Sequence, residues 1–326
     1  MAEWLVERGI GETRAALVDG DSVLEARILP DAALVAGTVA AARLARRIPA
    51  RNQGIAIWED GEALVTPLPR DVTEGARFNI EITRPPIPEP GKPKRALARP
   101  TDAPPGAAPP LEQALDGPVR QCDWRDTDRL ERAGWSELLE EAESGIFRFP
   151  GGEGRIALTT AMTLIDIDGD LAPADLALAG ARAAAMAVRR LDIGGSIGID
   201  LPTLADKATR HACAAAIDAV LPQPFERTAV NGFGFVQIVR RRARLSLPEL
   251  YAQDAVLAHA RALIRRAERS TGAGERTLHA HPNVIYAIDS REDWAVRLSE
   301  RLGAPVALRA DPALAISAGH VQARFP

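Results

Sequence analysis

Three aspartates in the middle of the chain have a type and spacing that could hold a divalent metal ion. Asp166 and Asp168 close one β-branched run, and Asp200 closes a second run further along the chain. Because side chains alternate along a strand, Asp166 and Asp168 are predicted to share one face. Adjacent carboxylates repel each other unless a cation or a proton separates them, and hard divalent cations prefer oxygen ligands. The pattern therefore indicates an oxygen-lined metal site.

The segment between the two runs is predicted to bring these acids together. It is an Ala-rich helix that Pro173 would open and the pair Gly194–Gly195 would close. A strand, a helix and a second strand form a crossover between parallel neighbours, which is almost always right-handed. The carboxyl ends of parallel strands meet at one edge of the sheet, and open α/β sheets bind ligands there. We therefore expect Asp166 and Asp200 to lie side by side.

Two short motifs from other classes of protein compete for the same acids. A calcium EF-hand loop needs Gly and Glu where this chain has Leu171 and Ala177, so that interpretation fails. The haloacid-dehalogenase phosphatases carry an Asp-x-Asp-Gly pattern, and the run that starts at Asp166 resembles it, except that Asp170 replaces a Thr or Val. In such a phosphatase Asp166 would be the nucleophile and Asp168 the general acid.

The bulk composition excludes several kinds of site. The two cysteines, Cys122 and Cys213, are too few for a disulfide framework or a thiolate zinc site. A formal net charge of -4 gives no general reason to expect polyanions, so any such binding must come from local basic clusters. Aromatic residues are only 4% of the chain, so the cores are expected to be aliphatic. No run approaches the roughly 20 apolar residues that span a bilayer, and we expect a soluble cytoplasmic protein without a membrane partner.

The predicted fold class is a multidomain protein of mixed α+β and α/β type. Short strands with frequent turn signals predict a small OB-type β-barrel near the N-terminus. The basic, Pro-rich stretch after it has too little apolar content to fold alone. The N-terminal strands over 1–35 are predicted to pack with 111–147, and the barrel covers 36–84. A linker over 85–110 leads to an α/β domain over 148–247, with the metal site at the C-termini of its strands. The last predicted domain is a small α+β module over 248–326, with a strand at 284–287.

Three longer stretches around the acids resemble the catalytic core of the ribonuclease E/G family. The first runs from Gly151 to Gly169 and the second from Arg190 to Asp200. The third, from Gly232, is similar to the family's Arg-Phe-Gly strand with its trailing basic residues. Their order and spacing agree with that family, as does a barrel inserted after a short opening segment. The resemblance covers most of the chain, and it implies that the N-terminal strands belong to a remnant of a ribonuclease H-like domain.

The resemblance implies a metal-dependent endoribonuclease that cleaves single-stranded RNA in RNA processing or decay. Asp166 and Asp200 would hold Mg²⁺, with Mn²⁺ as an alternative, and Asp168 would support them. The metal would activate a water for in-line attack on a phosphodiester and neutralise the developing charge. The residues that would bind the phosphate backbone and the bases of the RNA are Arg43, Arg46, Arg47, Arg240, Arg242 and Phe233.

Four departures from the family pattern bear on this expectation. Asp168 stands where the family has Asn, and Gly232 occupies the first position of the Arg-Phe-Gly motif. The Cys-x-x-Cys that joins family subunits through zinc is missing after Leu247, so no zinc is expected and an oligomer would form without a zinc link. The segment that senses an RNA 5′-monophosphate is reduced to the Pro-rich linker. A catalytically degenerate RNA-binding protein stays open as an alternative, beside the phosphatase.

Overall fold

The structure of the protein is a computed structural model that describes residues 2–89 and 93–325. It is a mixed α+β protein with a small closed five-stranded β-barrel and several further sheets. The chain divides into two compact units. The first consists of Met1–Asp31, Asp116–Leu139 and Leu250–Pro326, and the second of Ala32–Leu115 and Glu140–Glu249. Within the described ranges, no helix is both long and apolar enough to cross a membrane.

The strands and helices are numbered along the chain. The strands of the described part are β1 (Glu3–Arg8), β2 (Glu12–Asp19), β3 (Ser22–Pro30), β4 (Val39–Ile48), β5 (Gln53–Trp58), β6 (Gly61–Val65), β7 (Arg77–Arg84), β8 (Ala96–Pro100), β9 (Val119–Cys122), β10 (Ile146–Phe149), β11 (Gly152–Leu158), β12 (Thr163–Gly169), β13 (Gly195–Asp200), β14 (Phe225–Arg227), β15 (Phe235–Arg240), β16 (Ala273–Ala280), β17 (Val306–Ala310) and β18 (His320–Phe325). The helices are α1 (Arg129–Arg132), α2 (Trp135–Ser144), α3 (Pro173–Arg190), α4 (Lys207–Asp218), α5 (Leu247–Glu268), α6 (Pro282–Asp289) and α7 (Glu292–Leu302).

The first unit is built on two small sheets. One has the order β3-β2-β1-β9, in which β1 is antiparallel to β2 and parallel to β9. The other has the order β17-β16-β18. Helices α5, α6 and α7 and strand β16 contribute to an apolar core that includes Leu263, Leu278, Ile288 and Trp294. Strand β9 comes from residues 111–147, so the N-terminal strands pair with that segment.

Charged side chains are also buried in the first unit, where they are neutralised in pairs. The guanidinium of Arg14, of which 1% is exposed, lies 3.0 Å from a carboxylate oxygen of Glu7 and 2.7 Å from one of Asp128. Glu268 pairs with Arg301, and burial raises the pKa of Glu268 to about 7. Removing one partner of a buried ion pair typically costs about 3–5 kcal/mol, because the other charge is left without compensation. The ion pairs within the first unit therefore account for the burial of these acids.

The second unit contains the closed barrel, whose strands follow the order β4-β5-β6-β8-β7. Its core consists of small and branched aliphatic side chains such as Ala42, Leu44, Val65 and Ile80, as the low aromatic content predicts. Successive residues of a strand alternate between this core and the outer surface. On β4 this alternation leaves Arg43 exposed.

Part of the predicted linker over 85–110 is a strand of this barrel. Strand β8 pairs in parallel with β6 and antiparallel with β7. Ala96 and Ala98 are buried in the barrel core, with the half-buried Leu97 between them. Two alanines give little hydrophobic signal, and the surrounding prolines concealed the alternation. The barrel therefore uses a strand from beyond the boundary predicted at residue 84.

The second unit also contains a six-stranded sheet with the order β10-β11-β12-β13-β15-β14. Strands β12 and β13 are parallel and are joined through α3, which confirms the predicted strand, helix and parallel strand. The other neighbours are antiparallel, so the sheet is mixed. Helix α3 packs on one face of β11 and β12 with buried residues such as Ala177, Ala181 and Ala184. The opposite face of β12 stays accessible to solvent.

The strand predicted at 284–287 is wrong, because these residues belong to helix α6. β-Branched residues such as Val284 favour strands, but a proline occupies the first turn of this helix. Val284, Ala287 and Ile288 are buried at helical spacing against the core of the first unit. Tertiary burial of that face outweighs the local preference for a strand.

Replacing Gly180 by Leu should destabilise the protein, because α3 lies against β12 at this glycine. A Cβ atom on Gly180 would come within 2.4 Å of Cγ2 of Ile167. Overpacking typically costs about 1–3 kcal/mol, and the better helix propensity of Leu offsets at most about 1 kcal/mol. We expect a lower urea midpoint for Gly180→Leu and an unchanged one for Ala174→Leu, at an exposed position of the same helix. Equal midpoints would contradict this packing.

Candidate functional site

Asp166 and Asp200 lie opposite each other at the end of the parallel pair β12 and β13. The register matches Thr163 with Ile197, and it continues to the match of Asp166 with Asp200. Neighbouring strands are about 4.8 Å apart, and directly matched residues point to the same face of a sheet. The two carboxylates therefore stand side by side at the carboxyl edge of the pair, which is the arrangement that the crossover predicts.

Asp168 joins them on the same face, two residues beyond Asp166. All three aspartates are exposed, whereas Ile165 and Ile167, which alternate with Asp166 and Asp168 along β12, are buried on the side of the sheet that α3 covers. This separation follows from the period of two along the strand. A shift of one residue in register would bury the acids and expose the isoleucines, so the core holds the acids in place.

The three carboxylates influence one another electrostatically. The pKa of Asp166 is raised, first by partial burial and then by the negative charges of Asp168 and Asp200. The backbone N–H of Ile167 and the guanidinium of Arg155 act in the opposite direction, but they do not cancel the rise. The negative charge that gathers at this edge of the sheet thus lacks full compensation from the protein, and a bound cation would supply it.

The donor set at this edge fits magnesium better than zinc. Among the residues that the structure describes, no three His, Cys, Asp or Glu side chains meet closely enough to form a ready-made metal cage. Mg²⁺ is usually held by one or two carboxylates, together with several waters and substrate phosphates. Structural zinc sites use four tetrahedral nitrogen or sulfur ligands. The two adjacent aspartates, Asp166 and Asp200, match the first description.

The neighbouring strand β11 adds two charged residues that the sequence reasoning missed. Arg155 is matched with Asp166 across the antiparallel pair, and Glu153 is matched with Asp168. The guanidinium of Arg155 donates a hydrogen bond of 2.5 Å to Glu153. Glu153 and Arg155 occur at a spacing of two, which the sequence shows. Their position beside Asp168 and Asp166 follows only from the pairing of β11 with β12.

An exposed aromatic ring stands close to the end of β13. Phe233 is 80% exposed, and it lies in the short loop that leads into β15. The side-chain oxygen of Asn231 accepts hydrogen bonds from the backbone N–H groups of Phe233, at 2.9 Å, and Phe235, at 3.0 Å. These bonds fix the loop while they leave the ring in water.

This loop is held directly against the residues that follow Asp200. The backbone N–H of Leu201 donates to the carbonyl of Gly234 at 3.3 Å. Gly234 has a φ of +91°, and a Cβ atom on it would come within 2.2 Å of the carbonyl oxygen of Leu201. Only glycine suits this close approach. The loop therefore carries Phe233 next to the strand end at which Asp200 stands.

Two arginines predicted to bind RNA are engaged with the backbone of their own unit. Arg240 donates to the carbonyl oxygens of Ile193, at 2.9 Å, and Val188, at 3.3 Å. Arg242 donates to the carbonyl of Gly194 at 2.8 Å, and it lies 3.3 Å from a carboxylate oxygen of Glu249. Both therefore stabilise the turn between α3 and β13, which positions Asp200. Contact with RNA stays a prediction for these two residues.

The three predicted arginines of the barrel differ from one another in their surroundings. Arg43 and Arg46 are exposed on β4, and no hydrogen bond or ion pair ties their side chains within the described residues. Arg47 instead donates to the carbonyl oxygens of Arg70, at 3.1 Å, and Val72, at 2.7 Å. Arg47 therefore braces a loop of the barrel, whereas Arg43 and Arg46 are available to a ligand.

Comparison with known proteins adds no family to this picture. The chain matches no protein-family model and no curated protein. Its function is therefore inferred from its own residues and their geometry.

Replacing Asp166 by Asn should stabilise the protein in the presence of EDTA. Because the pKa of Asp166 is raised in the folded chain, folded stability falls as the pH rises through the range in which this carboxyl ionises. The neutral amide removes that penalty, and we expect a gain of up to about 0.5 kcal/mol at pH 7, as is usual for an exposed position. Urea unfolding from pH 3 to 8 would measure it.

A matched control is Glu226→Gln, at an exposed acid of β14 in the same sheet. It removes one exposed carboxylate from the same sheet and leaves the three aspartates in place. Magnesium should stabilise the wild-type protein more than Asp166→Asn, because a ligand that binds only the folded state shifts the unfolding equilibrium. Equal stabilisation of both proteins by magnesium would contradict a metal site at Asp166.

Proposed function

We propose that the chain is a metal-dependent endoribonuclease of the ribonuclease E/G type, which cleaves single-stranded RNA. The observation that supports this most is the register that matches Asp166 with Asp200 at the carboxyl edge of β12 and β13. Asp168 adds a third carboxylate on the same face. A pair of acids of this kind, open to solvent and without an ion-pair partner among the described residues, differs from the paired acids in the core of the first unit.

Asp166 and Asp200 would hold Mg²⁺ or Mn²⁺ through their carboxylate oxygens, with Asp168 as the supporting group. The metal would supply a bound water of lowered pKa and would offset the charge that develops on the phosphate oxygens. Arg155 is matched with Asp166, so it lies where its guanidinium can orient a phosphodiester. The core packing of Ile165 and Ile167 would limit the movement of Asp166, which lies between them.

The surroundings of the acids suit a flexible single strand. Phe233 offers an exposed ring on which a base can stack, next to the strand that carries Asp200. The barrel, which we propose to be of the OB type, would hold further nucleotides through Arg43 and Arg46, with Arg47 bracing its loop. Arg240 and Arg242 would act mainly by fixing the turn before β13, and any phosphate contact would be additional.

Two other functions use the same residues differently. A degenerate RNA-binding protein would keep Phe233 and the barrel surface but would not cleave. A phosphatase of the haloacid-dehalogenase type would use Asp166 as a nucleophile and would release phosphate from monoesters. The phosphatase motif covers only a few residues around Asp166, whereas the resemblance to the nuclease extends over three stretches of the chain, which favours the nuclease.

Cleavage of an end-labelled single-stranded RNA should require magnesium and both aspartates. With EDTA, or with Asp166→Asn or Asp200→Asn, we expect the cleavage rate to fall by at least about a hundredfold, because the metal loses a ligand. Denaturing gels would detect internal products. Binding measured in EDTA should stay within about threefold of wild type for both variants, since the acids make no favourable contact with RNA in the absence of metal.

Cleavage by purified Asp166→Asn at the rate of the wild-type protein would contradict this proposal. Binding of RNA by the wild-type protein without cleavage would support the degenerate RNA-binding protein instead. Release of phosphate from a monoester, with a covalent phosphate on Asp166, would support the phosphatase.

Replacing Phe233 by Ala should weaken RNA binding without unfolding the protein. One stacked base is typically worth about 1–3 kcal/mol, so the dissociation constant should rise about 5- to 150-fold. Tyr286→Ala is the matched control, because Tyr286 is an aromatic residue that is 74% exposed but lies on α6 in the first unit. Fluorescence anisotropy of a labelled oligonucleotide would measure both. Equal affinities for the two variants would count against stacking on Phe233.

A further inference from the structure

The outer surface of the barrel carries a continuous row of side chains with an arginine at each end. Strand pairing matches Arg46 with Ile55, Ile55 with Leu64, Leu64 with Leu97, and Leu97 with Arg84. Ile55, Leu64 and Leu97 lie outside the apolar cluster at the centre of the barrel. Leu64 and Leu97 are half-buried, and 9% of Ile55 is exposed. The row therefore forms an apolar strip between two cationic ends.

This row lines a cavity of about 640 Å³. Arg51, which follows β4 in a short turn, also reaches this cavity, as do Lys94 and Arg95. The size falls in the range of sites that hold a small molecule, which are typically about 300–1,000 Å³. The strip and its charged ends thus border one common space in the second unit.

The charge around the cavity is only partly neutralised. Lys94 lies 2.5 Å from a carboxylate oxygen of Glu89, and Arg95 lies 2.7 Å from one of Glu62. Arg51, like Arg46, has no hydrogen bond or ion pair from its side chain within the described ranges of the chain. Two guanidiniums at this end of the cavity therefore lack a counter-charge.

The opposite end of the strip carries Arg84. Arg84 donates a hydrogen bond of 2.5 Å to the carbonyl of Arg95, and its Nε atom is buried without a hydrogen-bond partner among the described residues. Burial and the nearby charge of Arg242 lower the pKa of Arg84, whereas the carboxylates of Glu249 and Glu89 act in the opposite direction. Arginine is well suited to phosphate, because its planar fork can donate two parallel hydrogen bonds. Each end of the strip thus has the chemistry of a phosphate site.

We propose that this cavity binds one nucleotide that carries phosphate on both its 3′ and its 5′ oxygen. Its base would lie on Ile55, Leu64 and Leu97, one phosphate would meet Arg46 and Arg51, and the other would meet Arg84. The apolar strip offers no hydrogen-bonding pattern from its side chains, so it accommodates any base. This site is separate from the aspartates, and it does not depend on RNA cleavage.

A nucleoside between two phosphates occurs in two kinds of molecule. It is present in a free nucleoside 3′,5′-bisphosphate and in each internal nucleotide of an RNA strand. In both, the two phosphates flank the nucleoside as the cationic ends flank the strip. A nucleoside 5′-monophosphate has only one of the two groups, so it should use only one end of the cavity.

Calorimetric titration in EDTA would test this site, because the aspartates then hold no metal. The probes are adenosine 3′,5′-bisphosphate, AMP and a ten-nucleotide oligoadenylate. The bisphosphate should bind about tenfold more tightly than AMP, which corresponds to one additional charge-assisted contact. The dissociation constant of the bisphosphate should rise about tenfold in each of three variants, Arg46→Gln, Arg51→Gln and Arg84→Gln. Arg77→Gln is the matched control, since Arg77 is an exposed arginine of β7 outside the cavity lining.

The outcomes separate the source of the ligand from the existence of the site. If the bisphosphate binds as tightly as the oligoadenylate, the ligand is a free nucleotide. If the oligoadenylate binds much more tightly and the bisphosphate competes with it, the ligand is RNA. Equal affinity for bisphosphate and AMP would overturn the proposal, as would bisphosphate binding that is insensitive to Arg46→Gln and Arg51→Gln. Because both of these arginines are exposed, their replacement should not disturb folding. A negative result in this titration would not change the result expected from the magnesium-dependent cleavage assay.

Discussion

The parallel pairing of β12 with β13 is the constraint on which the candidate site depends. It turns two aspartates that are far apart in sequence into neighbours, and it does so only in the register that matches Asp166 with Asp200. That register is set by burial on the other face, where Ile165, Ile167 and Ile199 are almost inaccessible to solvent. The hydrophobic core thus bears the energetic cost of holding like charges together.

The two units treat acidic residues in opposite ways. In the first unit, Glu7 and Glu268 are buried and have arginines as partners, which is how proteins normally accommodate buried charge. In the second unit, Asp166 lies on an open face with two further acids as neighbours, and the charge of Arg155 opposes theirs only in part. The packing needs no such concentration of negative charge. That contrast supports the proposed metal site at the edge of β12.

The arginines show that a basic residue type alone does not define a binding surface. Arg47, Arg240 and Arg242 all belong to basic runs, yet their guanidiniums donate hydrogen bonds to backbone carbonyl oxygens of their own unit. Arg46 and Arg51 carry the same charge but have no such partner within the described residues. The number of arginines in the sequence therefore overstates the positive charge that is available to a ligand.

The sequence by itself determined the local features of the site. The β-branched runs, the Ala-rich helix and its flanking proline and glycines were sufficient to predict the crossover, and the period of two placed Asp166 and Asp168 on one face. The aliphatic core and most strands of the barrel followed from the same patterns. These features depend on neighbours in sequence, so a linear pattern contains them.

Tertiary structure decided what depends on partners distant in sequence. Strand β8 emerged from a Pro-rich stretch because β6 and β7 offered it free edges, and α6 formed from β-branched residues because one of its faces is buried. The match of Arg155 with Asp166 and the row from Arg46 to Arg84 exist only through strand register. No local pattern encodes such register, because it is fixed by the burial of residues on several strands at once.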